Sequence, residues 1–401
     1  MESEHGQFRI AVVLCGVLPK NTGGASRAVS TILALRALGS VKLYFITNDR
    51  VSIADLGPIA DSSHFVLAEG RRVRPHDYLR LLLGVMPRRL LAADIRGKRR
   101  KLEQAWESQP DLIWAYNDQA FLCLPASLRR SSVVVVDLID FEAERDVNLA
   151  RAAPTHRIVR TAIARLEGRA LRRTLHRIAA AADRTAISSD VDRQRLGSAR
   201  VSVLPNAYRL VGPPVGQTHH VGSPVFLFVG SLGYGPNRDA IDWLVTEVWP
   251  AVVRKRPDAQ LRIVGRGLAN PEKYESDRIT VVGEVSTMEP ELSQAWVSLA
   301  PIRFGSGSRI KILEAWAHGV PVISTTIGAE GLLAGHELNL LIADSPVAFA
   351  EGMLRLVDNQ NLREMLAREG QKTWSESYSD LVFSDAVVSI AMSALSGAES
   401  R

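Results

Sequence analysis

Short apolar runs alternate with amphipathic segments along nearly the whole chain. FRIAVVL (8–14) is almost continuously apolar and β-branched, the pattern of a strand covered on both faces. The turn PKNTGGAS follows, and RAVSTILALRALG then has the period of an amphipathic helix ending at Gly39. VKLYFIT (41–47), DLIWAYN (111–117) and SVVVVDLI (132–139) predict further strands, with helical segments at 77–93 and 96–107 between them. A basic helix over 157–178 leads to the strand RTAISS, the helical turn VDRQRLG and the run RVSVLPNA.

The rhythm breaks at 207–222, AYRLVGPPVGQTHHVG, whose Gly, Pro and polar residues read as an interdomain linker. It then restarts. PVFLFVGSL (224–232), AQLRIVG (259–265), RITVVGE (278–284), SLAPI (298–302) and PVISTT (321–326) predict strands, and NRDAIDWLVTEVWPAVVRKRP (237–257) predicts one helix. Repeated βαβ units in both halves predict an α/β protein of two doubly wound, Rossmann-like domains facing across a cleft. The expected boundaries are 1–207 for an N-terminal domain, 208–222 for the linker and 223–378 for a C-terminal domain. Residues 379–401 form a last helix, expected to pack back on the first domain. A length of 401 residues suits two such domains.

Charge sharpens this picture. Residues 1–210 hold 33 Lys and Arg against 21 Asp and Glu, whereas 211–401 hold 16 against 22. A basic half favours an anionic partner. Between 71 and 101, cations such as Arg80, Arg88, Arg89, Arg99 and Lys101 interleave with Leu79, Leu82, Leu90 and Leu91. That pattern suits peripheral docking on an anionic membrane surface, and equally a solvated helix packed by its leucines. Nucleic acid is not expected, because no recognition motif or interleaved aromatic set accompanies the charge. Cys15 and Cys123 are the only cysteines, too few for a disulfide framework or a Cys-rich metal site, which fits a reducing cytoplasm. The acidic and polar start MESEHGQFRI is unlike a signal peptide, and no apolar run nears the ~20 residues of a spanning helix. The expected location is therefore the cytoplasm, extending to the inner face of the membrane.

The densest chemistry lies in GSGSRIKILEAWAHGVPVIS (305–324). Gly305, Ser306, Gly307 and Ser308 put small side chains and backbone N–H groups at a helix start, where free donors and the helix dipole favour an anion. Arg309 and Lys311 add full charge and would suit a diphosphate over the first turn. Glu314, one turn on, can accept hydrogen bonds from a ribose diol. The plainer alternative makes Lys311–Glu314 and Glu314–His318 surface pairs at helical spacing. PKNTGGASR (19–27) is a second strand–glycine–helix junction but not a dinucleotide fingerprint; Gly23 and Gly24 would let backbone approach a ligand, or simply make a tight turn. Asp190-Val191-Asp192 has the spacing of a metal-binding D-x-D, but Ser189 before a short helix suffices as an N-cap.

SGSRIKILEAWAHGVPVISTTIGAEGL, together with FVGSLGYGPNRDAIDWLVTEVWP, LRIVG, ITVVGEV and VSVLPNA, resembles the large family-4 group of retaining, nucleotide-sugar-dependent glycosyltransferases with the GT-B fold. The likeness covers most of the chain, and its C-terminal signature is the more specific part. It implies sugar transfer from a nucleotide-sugar donor to a hydroxyl of a glycan, glycolipid or small-molecule acceptor, as in polysaccharide or glycoconjugate biosynthesis, with no metal and no cofactor. It implies that Glu314 holds the donor ribose, that Arg309, Lys311 and the backbone of Gly305–Ser308 hold the diphosphate, and that Gly283–Val285 lie near the base. Gly23 and Gly24 would approach the donor from the first domain, and Ser231 and Asn237 occupy the first loop of the second. The chain also departs from that pattern. Ser306 stands where many members carry Glu, and the usual Arg and Lys of the first C-domain loop are missing, a charge Arg309 and Lys311 would replace. The His that often precedes an Asp in the first domain is absent, leaving Asp140 as the candidate for contact with sugar or acceptor, or as a structural cap. The alternatives are a non-catalytic nucleotide-sugar-binding partner subunit and a GT-B-fold sugar-nucleotide epimerase.

Overall fold

The protein is described here by a computed structural model, which covers residues 8–15, 23–47, 63–67, 87, 90–91, 93–139, 158–216, 220–305 and 309–399. Asp140, the triplet Ser306-Gly307-Ser308 and most of the basic stretch 71–101, including the expected 77–93 helix, lie outside the described residues.

The chain divides into two compact units, residues 1–206 with 381–401, and residues 207–380. In unit 1 the strands are β1 (Phe8–Cys15), β2 (Gly39–Thr47), β3 (Ser63–Leu67), β4 (Leu112–Tyr116), β5 (Val133–Asp137), β6 (Arg184–Ile187) and β7 (Val201–Val203). They form one parallel sheet in the order β3-β2-β1-β4-β5-β6-β7. Strands of this kind must be covered on both faces, and the residues agree: Val12, Val13, Ile113, Trp114, Val135 and Val136 are all buried.

A buried ion pair ties unit 1 together below its strand ends. Arg27, from the Gly23–Leu35 helix, makes a two-pronged contact with Asp137 at the end of β5, with Nε and Nη2 at 3.0 and 2.9 Å from the two carboxylate oxygens. Its Nη1 donates to Leu204 O and Asn206 Oδ1, both at 2.8 Å. Asp137 Oδ1 also accepts from the Ile139 amide, which helps hold that β-branched residue at φ 64°, a backbone region costing of order 1–3 kcal/mol.

The Asp380–Glu399 helix presents Phe383, Val387, Ile390, Ala391, Ala394 and Leu395 as one buried stripe at helical spacing. All belong to unit 1, with Phe383 under the Arg27 guanidinium at 5.5 Å and Ser393 Oγ accepting from Arg184 at 3.1 Å. Here one expectation needs correcting: the helical stretch Gln360–Ala398 contains a window long and apolar enough, by length and composition only, to cross a membrane. No unbroken apolar run marks it, because Ala, Ser and Gly are interleaved with the large residues.

Unit 2 repeats the plan. Its strands are β8 (Val225–Val229), β9 (Gln260–Val264), β10 (Ile279–Gly283), β11 (Val297–Ala300), β12 (Val322–Ser324) and β13 (Leu341–Ile342), parallel in the order β10-β9-β8-β11-β12-β13. The helix expected over 237–257 is three pieces: Gly235–Trp243, a π turn at Leu244–Val248, and Trp249–Lys255. Pro250 is the physical reason. It lacks an N–H and crowds the preceding turn, and the chain answers with a wider turn in which the Trp249 amide reaches back to Leu244 O. Trp243, Leu244, Val248 and Trp249 remain buried through the change. Residues just after 206 pack on unit 2: Tyr208 N donates to Tyr378 O at 3.1 Å, and Trp374 Nε1 donates to Tyr208 O at 3.1 Å.

Candidate functional site

The strand order of unit 2 reverses between β8 and β11, so their carboxyl ends flank a topological switch point, where open α/β sheets bind ligands. β8 runs into Gly230–Ser231, and β11 into Pro301–Gly305 and the Ile310–Ala317 helix. The sequence-predicted Ser231, Asn237, Gly305, Arg309 and Lys311 lie there. Asn237, buried at the start of the Gly235–Trp243 helix, donates from Nδ2 to Ser231 O at 2.9 Å. Its Oδ1 accepts from Lys311 Nζ at 3.0 Å. The amide fits because residue 230 is glycine; a Cβ there would lie 2.7 Å from Asn237 Nδ2. Lys311 Nζ also sits 4.1 Å from the centroid of the Phe228 ring, a cation–π contact with β8. The lysine of the later loop thus reaches the first loop.

Arg309 occupies the cap position of the Ile310–Ala317 helix. It is buried, and Nη2 donates to Gly305 O at 3.2 Å. Gly305 has φ 120°, which only glycine adopts without strain. The guanidinium therefore folds back over the loop that precedes its own helix.

Lys311 and Glu314 perturb each other within one turn. Burial, then the Arg309 cation, pushes the Lys311 ammonium down to about 7, against the pull of Glu314. Burial pushes the Glu314 carboxyl up to about 7, with Glu289 adding to the rise and the Tyr208 hydroxyl and Lys311 opposing it. Both groups are half-buried, so neither is the solvated surface pair of the plainer reading.

Two further residues were not anticipated. His318 is 1% exposed, and its Nε2 is hydrogen-bonded to the Tyr208 hydroxyl at 3.2 Å. Burial pushes the His318 imidazole down, and burial followed by the nearby Glu314 and Glu289 carboxylates pushes the Tyr208 phenol up. His318 O accepts from Gly216 N at 2.8 Å, where a Cβ on residue 216 would lie 2.3 Å from that oxygen. The sequence signal was present at His318, a polar residue one turn after Glu314 at the end of a largely apolar helix. Tyr208, in a segment read as a spacer, gave none.

Gly283 ends β10 at φ 81°, and its carbonyl accepts from Gly265 N at 2.7 Å. Val285 packs with Met288 and Ile310 against the buried cluster around Ile312 and Trp316, forming an apolar shoulder beside the cationic helix start. Ser231 is exposed. In unit 1, Gly23 and Gly24 open the Gly23–Leu35 helix, while Asp137 is committed to Arg27. The D-x-D carboxylates are engaged locally. Ser189 caps the Asp190–Leu196 helix, Asp190 Oδ1 accepts from Arg193 Nε at 2.8 Å, and Asp192 Oδ1 accepts from Arg195 Nη1 at 3.0 Å.

Two Rossmann-like units, the second with a cationic helix start at its switch point, define a GT-B protein. Residues 223–359 match the family model described as Glycosyl transferases group 1. The chain is 29% identical over 171 residues to an uncharacterized 44.6 kDa protein in the cps region of Klebsiella pneumoniae, covering 39% of this chain and 44% of that protein. It is 29% identical over 139 residues to the phosphatidyl-myo-inositol mannosyltransferase of Mycobacterium tuberculosis, covering 32% of this chain and 37% of that one. The matches thus span less than half the length of these curated relatives. Among solved structures, Anabaena Alr3699/HepE in complex with UDP and glucose matches 96% of this chain and 99% of its own, with a TM-score of 0.62 and 13% identity, a likeness of fold.

Proposed function

We propose that this chain is a glycosyltransferase that moves a sugar from a nucleotide-sugar donor to a hydroxyl of a glycan, glycolipid or small-molecule acceptor, with retention and without a metal. The observation that carries the reading is the contact of Lys311 with Asn237 at the switch point, with Arg309 folded onto Gly305 at the same helix start, in a segment that matches the glycosyl transferases group 1 model. In this reading Lys311 and the helix start face the donor diphosphate, and Arg309 shapes the loop around it. The half-buried Glu314 carboxylate accepts from the ribose hydroxyls. Preorganised cations and N–H groups are what stabilise charge growing on a diphosphate as the glycosidic bond opens. The leaving oxygen takes the acceptor's proton, so no nucleophilic side chain is required. The engagement of both D-x-D carboxylates by arginines supports the metal-free part. The basic 71–101 stretch supports a lipid-linked acceptor at an anionic membrane surface.

The test is thermal stability against UDP-, GDP- and dTDP-sugars, with Mg²⁺ or with chelator, followed by turnover on an acceptor panel and the anomeric configuration of the product. A shift of several degrees with one nucleotide, unchanged by chelator, and a product of unchanged anomeric configuration are expected. No shift with any donor overturns the reading. Binding without turnover on any acceptor favours a non-catalytic donor-binding subunit.

A further inference from the structure

The two cysteines of the chain lie far apart in sequence and together in unit 1. Cys15 ends β1, and Cys123 ends the Asp118–Cys123 helix that packs on that strand. Cys123 is fully buried, and Cys15, partly exposed, packs against the same apolar cluster. Gln119 and Cys123 share one face of that helix at i,i+4 spacing. Cys15 Sγ is also 3.5 Å from Lys98 Nζ and 3.5 Å from Gln119 Oε1.

Lys98 is the unexpected member. It lies in the Ile95–Ala105 helix and is only 5% exposed, although lysine is almost never buried without a partner. Among the described residues, the hydrogen-bond partner of its ammonium is the Cys15 sulfur. A buried ammonium beside a thiol favours the thiolate, which is the reacting form of cysteine. The Cys123 hydrogen bond and Lys98 together pull the Cys15 thiol down, against burial and Asp118, while the Cys15 contact and burial push Cys123 up. Cys15 is thus the partly exposed and more readily ionised sulfur, and Cys123 the buried and less acidic one. That asymmetry suits an attacking and a resolving thiol.

We propose that Cys15 and Cys123 form a peroxide-sensitive dithiol, with Lys98 holding the charge on Cys15. The Cys15 thiolate attacks one oxygen of hydrogen peroxide; an S–O bond forms, the O–O bond breaks and hydroxide leaves. The Cys123 sulfur then attacks the sulfenic acid; the S–S bond forms, the S–O bond breaks, and water departs with the Cys123 proton. Two thiols lose two electrons, and the peroxide is reduced to water. The site stands whether or not the chain transfers sugar.

The experiment treats the reduced full-length protein with hydrogen peroxide and follows free thiols, intact mass and non-reducing peptide maps. Loss of both thiols, a mass lower by two hydrogens, a Cys15–Cys123 crosslinked peptide and full reversal by dithiothreitol are expected. Cys123→Ser should stop at a Cys15 sulfenic acid that dimedone traps. Lys98→Met should slow alkylation of Cys15 by iodoacetamide several-fold at neutral pH and move its pH profile to higher pH. Two thiols still free after peroxide, Cys15 driven to sulfinic acid beside a free Cys123, or crosslinks only between chains would each overturn the proposal. The wild-type readout needs no variant to fold.

Discussion

Lys311 and Glu314 titrate in the same range from opposite sides, which gives the apo protein an unusual pH profile. The Glu314 carboxyl, raised from 4.5 to about 7, binds more protons folded than unfolded. Its contribution to stability is full below pH 4.5 and is lost as pH rises to about 7. The Lys311 ammonium, lowered from 10.5 to about 7, binds fewer protons folded. Its contribution is full above pH 10.5 and is lost as pH falls to about 7. Together they place a local minimum of stability near pH 7. Urea midpoints across pH should show it; Glu314→Gln should remove the acid-side slope and Lys311→Met the alkaline one. Glu314→Ala should also weaken donor binding about ten- to hundredfold, the range for hydrogen bonds to a charged group, read by calorimetry with the donor that stabilises the protein. Affinity equal to wild type would remove Glu314 from the site. At this scale the sequence was readable where chemistry is local. Glycines, cations and a carboxylate within ten residues marked the candidate site, and the structure brings Lys311 to Asn237 of the first loop. The Tyr208–His318 contact was not readable, because its partners are 110 positions apart and such pairing leaves no period in the chain.

Elements hold these residues in place through a few close approaches. The Ile310–Ala317 helix is backed by the Gln360–Ser377 helix, where Gly370 faces Trp316. A Cβ on residue 370 would lie 2.4 Å from Trp316 Cδ1, and the ring is further pinned by its Nε1 donating to Asn339 O at 3.0 Å. Gly370→Ala should therefore cost about 1–3 kcal/mol by overpacking, seen as a lower melting temperature. In unit 1, Arg27→Met should cost about 3–5 kcal/mol, because Asp137 is left as a buried charge without its cation. The double variant Arg27→Met with Asp137→Leu should be milder than the single change, and chemical denaturation of both decides the point. The strands were legible as near-continuous apolar runs, and the parallel sheets followed from their alternation with helices. The break at Leu244–Val248 was not, since a hydrophobic period reads through a π turn as if it were α-helix.

At the scale of the molecule, the chain enters unit 2 after residue 206 and returns to unit 1 at 381. Truncation after Asp380 removes the stripe of Phe383, Val387 and Ile390 that unit 1 buries. It should lower the stability of unit 1 while leaving unit 2 nearly unchanged, as limited proteolysis with fragment mapping would show. Equal protease resistance of residues 1–206 with and without the helix would contradict this. The last helix was expected from the sequence to pack back on the first domain; the contacts that seat its stripe, such as Phe383 under Arg27, lie hundreds of positions away and leave no local pattern.

The same return has a consequence for synthesis. A ribosome delivers residues in order, so unit 1 stands without its last helix while all of unit 2 is being made. At bacterial or eukaryotic elongation speeds that interval is on the order of ten to thirty seconds. During it the apolar face that awaits Phe383 and Val387 is open to chaperones, whereas unit 2, contiguous from 207 to 380, can close as soon as it emerges. The later-made half would then be the first to reach its final fold.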